Sequence, residues 1–236
     1  MKKVLKPLSL AAAISAAMVS GHVAAYEAGD WIVRAGITTV DPQESGDQLE
    51  LNGSTAAFIG AVGTEELGLD SDTQLGLTGE YMLTNNWGIE VLAATPFQHT
   101  ATATDTLAGL DIADIKHLPP TVSAVYHFDT QGNLDPYIGV GINYTIFFSE
   151  DTTSAADAAF AGLGLTGGDV ELDDSWGLAL QVGFDYQIDE KWLVNASVRW
   201  IDIDTEAEVK FDGGAKITAD VEVDPLVYSV MVGYKF

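Results

Sequence analysis

The sequence predicts an all-β chain folded as an eight-stranded antiparallel up-and-down transmembrane β-barrel. Three observations lead there. Eight stretches alternate apolar residues with small or polar ones at period two, the strand period rather than the helical one. Their connections alternate strictly between long and short, as expected of a meander that puts all tight turns at one end. Aromatic residues collect on the apolar side of these strands next to the short turns, where a lipid boundary would hold them.

The chain opens with Lys2, Lys3 and Lys6, an apolar run from Leu8 to Val19, and Val23-Ala24-Ala25 before Tyr26. A basic start, a short apolar stretch and small residues at a cleavage point predict a secretory signal peptide over 1–25. Residues 26–236 then form the barrel domain. Its removal takes three lysines and no acids, so the mature chain is more acidic than the formal −25 of the whole. With 35 acidic against 10 basic residues, the protein repels nucleic acid. There is no cysteine, which excludes disulfides, thiol chemistry and cysteine-zinc sites.

The first strand, Asp30 to Val40, puts Trp31, Val33, Ala35 and Ile37 on one face and Arg34, Gly36 and Thr38 on the other. A polar connection from Asp41-Pro42 reaches about Ser71. The second, Thr73 to Leu83, sets Leu75, Leu77, Tyr81 and Leu83 against Gly76, Thr78, Glu80 and Met82. Thr84-Asn85-Asn86 is a tight turn. The third starts at Trp87 and alternates Ile89, Val91 and Ala93 with Glu90, Leu92 and Ala94. A connection from Pro96 to Pro120 precedes the fourth, Thr121 to Phe128. The fifth, Tyr137 to Phe148, alternates Ile138, Val140, Ile142 and Tyr144 with Gly139, Gly141, Asn143 and Thr145.

After an Ala/Gly/Asp-rich connection, Ser149 to Asp174, the sixth strand is the clearest. Trp176, Leu178, Leu180, Val182, Phe184 and Tyr186 oppose Gly177, Ala179, Gln181, Gly183 and Asp185. Ile188 to Lys191 turns tightly into the seventh, Trp192 to Ile201. A last acidic connection leads to the eighth, which ends the sequence as Leu-Val-Tyr-Ser-Val-Met-Val-Gly-Tyr-Lys-Phe. Each strand approaches the ~9–11 residues of a tilted membrane strand. Closure satisfies every backbone group in lipid, where an open edge could not persist. The short turns and both termini are expected on the periplasmic side of a Gram-negative outer membrane, the long acidic loops outside. Phe236, a terminal aromatic after Tyr234, resembles the signal by which outer-membrane barrels are recognised for insertion, so the barrel-assembly machinery is an expected partner. Lipid and lipopolysaccharide are the other expected partners, the latter through divalent ions on the acidic loops, and the barrel is expected to be a monomer.

Several collinear blocks carry a family resemblance. They are Tyr26-Glu-Ala-Gly-Asp, Asn86 to His99, Lys116 to Thr121 (Lys-His-Leu-Pro-Pro-Thr), Pro136 to Phe148, Asp174-Ser-Trp-Gly, Asp185-Tyr, Asp224-Pro225 and the terminal Gly-Tyr-Lys-Phe. The chain resembles the outer-membrane protein W family (OmpW/AlkL-like), which includes an alkane-uptake protein. The resemblance implies an eight-stranded barrel with a narrow apolar channel for small hydrophobic molecules.

An eight-stranded barrel is wide enough to be filled by its own side chains or to hold one small ligand. Alternation points Arg34, Glu80, Glu90, Asp185, Arg199 and Lys235 inward. Such a lumen cannot leave like charges unpaired, so these six are expected to form an ion-pair plug, with Asp185 beside Arg199 and Arg34 beside Lys235. Above them the inward residues are small or apolar, with Leu92, Ala94, Phe147, Ile201 and Val227 as the expected lining. The result is an apolar funnel, open outside and blocked below, for passive uptake of hydrophobic solutes. Pro96, Pro119 and Pro120 fall where the third and fourth strands meet. Proline donates no ladder hydrogen bond, so these three mark a candidate lateral exit into the membrane.

The competing readings are a structural or adhesive barrel whose loops bind a partner, and a small ion-conducting porin. No enzyme is expected: Ser123 and His127, both inward, stand ~13 Å apart by strand rise. No cofactor is expected. Gly162-Leu-Gly-Leu-Thr-Gly167 matches a dinucleotide fingerprint without the strand–helix unit around it. His99 and His117 are expected to be polar contacts at the barrel rim, too few to hold a metal.

Overall fold

The computed structural model describes residues 26–43, 45–46, 49–54, 67–105, 107–130 and 132–236. The expected signal peptide, 1–25, lies outside them. Eight antiparallel strands close on themselves: β1 (Trp31–Asp41), β5 (Asp72–Met82), β6 (Trp87–Ala94), β9 (Thr121–His127), β10 (Leu134–Thr152), β12 (Ser175–Gln187), β13 (Trp192–Ile201) and β16 (Leu226–Lys235). Each pairs with the next in this order, and β16 pairs back to β1 with Ile37 opposite Val230. The eight expected strands are these eight, with edges shifted by a few residues at most.

Burial follows the alternation. Along β1 the inward Ile32, Arg34 and Thr38 are buried, whereas Trp31, Val33 and Ile37 are exposed. The same holds on β12, where Trp176, Leu178, Leu180, Val182, Phe184 and Tyr186 face out. A continuous exposed apolar band of this kind needs lipid around it. At the turn end it is edged by rings in mutual contact: Trp31 with Tyr81 at 4.9 Å, Trp87 with Tyr126 at 5.0 Å, and Trp192 with Tyr234 at 5.0 Å. At the other end Trp176 stacks on Tyr144 at 4.4 Å.

The long connections are not bare loops. They hold β2 (Ser45–Gly46), β3 (Glu50–Leu51), β4 (Leu67–Leu69), β7 (Phe97–Ala103), β8 (Asp111–Leu118), the helix α1 (Ser154–Gly162), β11 (Asp169–Leu172), β14 (Asp204–Lys210) and β15 (Lys216–Glu222). Two small sheets, β4-β7-β8 against the upper half of β10 and β11-β14-β15 with β2 and β3, rise beyond the lipid band. Alternating apolar residues within polar sequence hold this extension together: Phe160, Val170, Val209, Phe211 and Ile217 form its core with Ala113 and Ala156. The residues 162–167 cap α1 at its C-terminus, with Gly164 and Gly167 at positive φ, so they form no strand-to-helix phosphate cradle.

Candidate functional site: a plugged lumen beneath an apolar cavity

At the turn end the lumen is filled by a charge network. Arg34 sits at its centre, with Nη2 donating to Asp185 Oδ2 at 2.5 Å and Nε to Oδ1 at 3.1 Å. The same guanidinium pairs with Glu80 at 2.9 Å and Glu90 at 3.4 Å. Glu90 in turn accepts from Arg199 Nη2 at 2.7 Å and Gln181 Nε2 at 3.1 Å. All of these groups are buried. A planar guanidinium can engage several carboxylates at once, which lets one residue bind strands from opposite sides of the barrel.

Two expected neighbours are not partners. Asp185 lies opposite Asn195, which donates to it at 2.7 Å, and Arg199 lies opposite Gln181. Lys235 lies opposite Ile32 at the rim, with its ammonium 3.9 Å from Asp30 and 5.9 Å from the centre of the Tyr26 ring. The last turn of strand leaves it near water, where a strongly hydrated ammonium is cheaper to keep than inside.

The network also takes in residues that alternation alone did not single out. His127 meets Asp135 through Nδ1 and Glu80 through Nε2, both at 2.9 Å. With a carboxyl group at each nitrogen, both sides of the ring are engaged. Tyr26 enters from below: its hydroxyl donates to Asp185 at 2.5 Å, and its ring meets His127 edge-on at 4.8 Å. Two guanidinium groups and the His127 ring thus face four carboxyl groups, with Tyr26 and Asn195 supplying further donors. Room for them comes from inward glycines. A Cβ on Gly88 would strike the Glu80 carboxylate, and one on Gly233 would crowd Arg34 and Leu193.

Above the plug the interior turns apolar. Phe97, Ile201, Ile203, Val227, Val40 and Ala179 pack together, with Ala94 and Phe147 against them. Four of the five expected lining residues meet in this cluster, and Leu92 is buried outside it. Phe97, at the start of β7, packs among them with a ring only 1 % exposed. Phe97 was hidden from the sequence reading inside what looked like a connection.

Over this cluster lies a cavity of about 60 Å³ between the two small sheets, walled by Leu69, Ile115, Phe147, Ile203, Val221 and others. His99 and His117 belong to its wall. The two meet in a polar contact, as expected, with their Nε2 atoms 2.9 Å apart, and both are buried. His99 Nδ1 donates to the Asp70 carbonyl at 2.5 Å. His117 stacks near Phe97 and Phe147, and burial together with the neighbouring His99 pushes its pKa down to about 3.

The three prolines bracket an interruption in the barrel wall. Leu92 of β6 pairs with Thr121 of β9, and the next pair above is Phe97 with His117. Between them, 93–96 and 118–120 form no ladder pairs with each other, although Ala93 and Ala94 still pair with Leu77 and Gly76 of β5, and Leu118 with Ile146 of β10. The flanking ladders continue: Thr95 N donates to the Leu75 carbonyl at 2.9 Å and Tyr144 N to that of Pro120 at 3.1 Å. Asn143 and Thr121 satisfy the loose carbonyls from inside, Asn143 Nδ2 reaching Pro120 O at 3.2 Å and Thr121 Oγ1 reaching Pro119 O at 3.1 Å. At the loop end, Asp202, Asp204 and Asp224 place carboxylate oxygens within 4.8 Å of one another. Partial burial and these neighbours raise Asp204.

A closed eight-stranded barrel with an apolar outer band, aromatic edges and a buried ionic interior is an outer-membrane barrel protein. The OmpW family model matches residues 27–236, and the chain belongs to that family. The outer membrane protein W of Vibrio cholerae is 45 % identical over 229 residues, covering 95 % of this chain and 96 % of that protein. The crystal structure of the outer membrane protein OprG from Pseudomonas aeruginosa superposes with a TM-score of 0.80 at 42 % identity, covering 91 % of this chain and 99 % of the other. More distant relatives include the outer membrane protein AlkL of Ectopseudomonas oleovorans, 26 % identical over 90 % of this chain and 85 % of its own length. Another is the dibenzothiophene metabolism operon protein PahQ of Pseudomonas aeruginosa, 26 % identical over 89 % and 90 %. The end bearing the long loops is therefore extracellular, and the turns and chain termini are periplasmic.

Proposed function

We propose that the barrel is a passive conduit by which small hydrophobic molecules enter the outer membrane. They pass from the extracellular cavity to the apolar cluster and leave sideways between β6 and β9. The interrupted ladder at Pro96, Pro119 and Pro120 is the observation that carries this reading. Directly beneath it the ionic plug offers an apolar solute only buried charge, so the way down is unfavourable and the way sideways is lipid. A relative named for a dibenzothiophene metabolism operon agrees with an apolar passenger. The same plug counts against an ion-conducting pore, since Arg34 and Arg199 are both held by carboxylates.

The test is uptake of an alkane-like solute into liposomes bearing the barrel. Replacing Pro96 and Pro119 together by alanine should slow it several-fold, and unchanged uptake would rule out the lateral exit. Phe147→Asp should abolish it. If uptake survives that charge, the structural or adhesive reading takes its place.

A further inference from the structure

Two backbone carbonyls lie at the interruption of the barrel wall, those of Pro119 and Pro120, and they face different ways. The register of this segment on β10 does not slip, since Leu118 stands opposite Ile146 and Thr121 opposite Asn143. The segment is therefore extended, and successive residues send their N–H and C=O to opposite sides. Pro120 turns its carbonyl to β10, where Tyr144 N donates at 3.1 Å. The Pro119 carbonyl consequently points the other way, toward β6 and β7, where the ladder is broken. Among the described residues its partner is the Thr121 hydroxyl, at 3.1 Å.

A directed chain of side chains fixes that hydroxyl. A carbonyl only accepts, so the Asn143 carboxamide must aim Nδ2 at Pro120 O, 3.2 Å away, and Nδ2 also donates to Thr121 Oγ1 at 3.1 Å. Thr121 accepts from Asn143 and gives its one hydroxyl proton to Pro119 O. The Thr145 hydroxyl donates to Asn143 Oδ1 at 2.7 Å and holds the carboxamide in this orientation. All three side chains are buried at the edge of an otherwise apolar compartment, where such groups are costly unless their bonds are made.

We propose that Thr121, positioned by Asn143 and Thr145, masks the Pro119 carbonyl and so gives the lateral exit an apolar lip, which makes Thr121 a specificity-determining residue for hydrocarbon passage. This rests on the conduit reading and names the residue that keeps its exit selective. With the carbonyl engaged, a molecule bearing a hydrogen-bond donor gains nothing at the opening. Unmasked, the same oxygen would hold such a molecule by one hydrogen bond and obstruct the hydrocarbons behind it.

Thr121→Val keeps the shape of the side chain and removes the proton, whereas Thr121→Ser keeps the proton. In the liposome assay with hexane as passenger, 1-hexanol should inhibit Thr121→Val at a roughly five-fold lower concentration than the wild type or Thr121→Ser, the size of one net hydrogen bond. Its isomer methyl pentyl ether, which has no donor, should inhibit all three alike. A purely structural role would shift both inhibitors together or neither, and either result overturns the masking while the conduit stands. Should Thr121→Val fail to fold, NMR of the wild type with ¹³C-labelled proline carbonyls in lipid nanodiscs decides instead. There 1-hexanol should leave the Pro119 resonance in place, and a shift overturns the proposal. If the wild type carries no hexane at all, masking and conduit fall together.

Discussion

Arg34 on β1 and Asp185 on β12 meet through two hydrogen bonds across the lumen, although β16 and β13 separate their strands around the wall. The pair ties opposite sides of the barrel together and fixes the floor of the apolar compartment. Removing one partner strands the others, since Glu80 and Glu90 share the same guanidinium.

Arg34→Met should therefore destabilise the barrel by about 3–5 kcal/mol, the usual penalty for leaving buried carboxylates unpaired. Urea unfolding in detergent measures it. A loss below 1 kcal/mol would mean that Arg199 and His127 neutralise the site without Arg34.

Phe97 closes the apolar cluster with a fully buried ring. Phe97→Ala should cost about 3–5 kcal/mol and open the compartment beneath the cavity. Bulkier hydrophobic solutes should then enter faster in the liposome assay, and a slower rate would show that Phe97 guides solutes instead of blocking them.

His117 gives the extracellular extension a pH dependence of definite sign. Its folded pKa is depressed to about 3 from the ordinary 6.5, so the unfolded chain takes up the proton first. Stability from this group is complete above pH 6.5 and declines as pH falls toward 3. Between pH 7.5 and 5 the loss should be about 2 kcal/mol. The urea midpoint of the wild type should drop on acidification more than that of His117→Phe, and equal drops would assign the effect to other groups.

Phe236 is 71 % exposed, and its ring touches Tyr234 at 4.7 Å. Deleting it should leave the folded barrel nearly as stable while lowering the amount that reaches the outer membrane, as read by surface proteolysis and blotting. Normal membrane levels would remove Phe236 from the assembly signal.

Much of this was legible along the chain, and particular residues show why. Trp176 to Tyr186 announce a strand because alternation is a local property, and the neighbours i and i+2 carry it whatever the rest of the chain does. Glu80 and Glu90 could be placed opposite each other because one tight turn fixes the register of that hairpin. Arg34 and Asp185, by contrast, lie far apart in sequence and meet only across the closed barrel. Phe97 and the His99–His117 pair sat in a stretch whose short strands, β7 and β8, are stabilised mainly by the sheet they complete on β10.

The sequence by itself determined the barrel: strand count, lipid-facing side, aromatic edges and the presence of inward charge. Only the tertiary structure decided which charges pair, that Lys235 meets Asp30 at the rim, that Phe97 joins the apolar cluster above the plug, and that two small sheets enclose an apolar cavity over it. The physical reason is range. Alternation and turn chemistry act between neighbours, whereas a lumen is made of side chains brought together by closure, and its contacts exist only once the last strand has paired with the first.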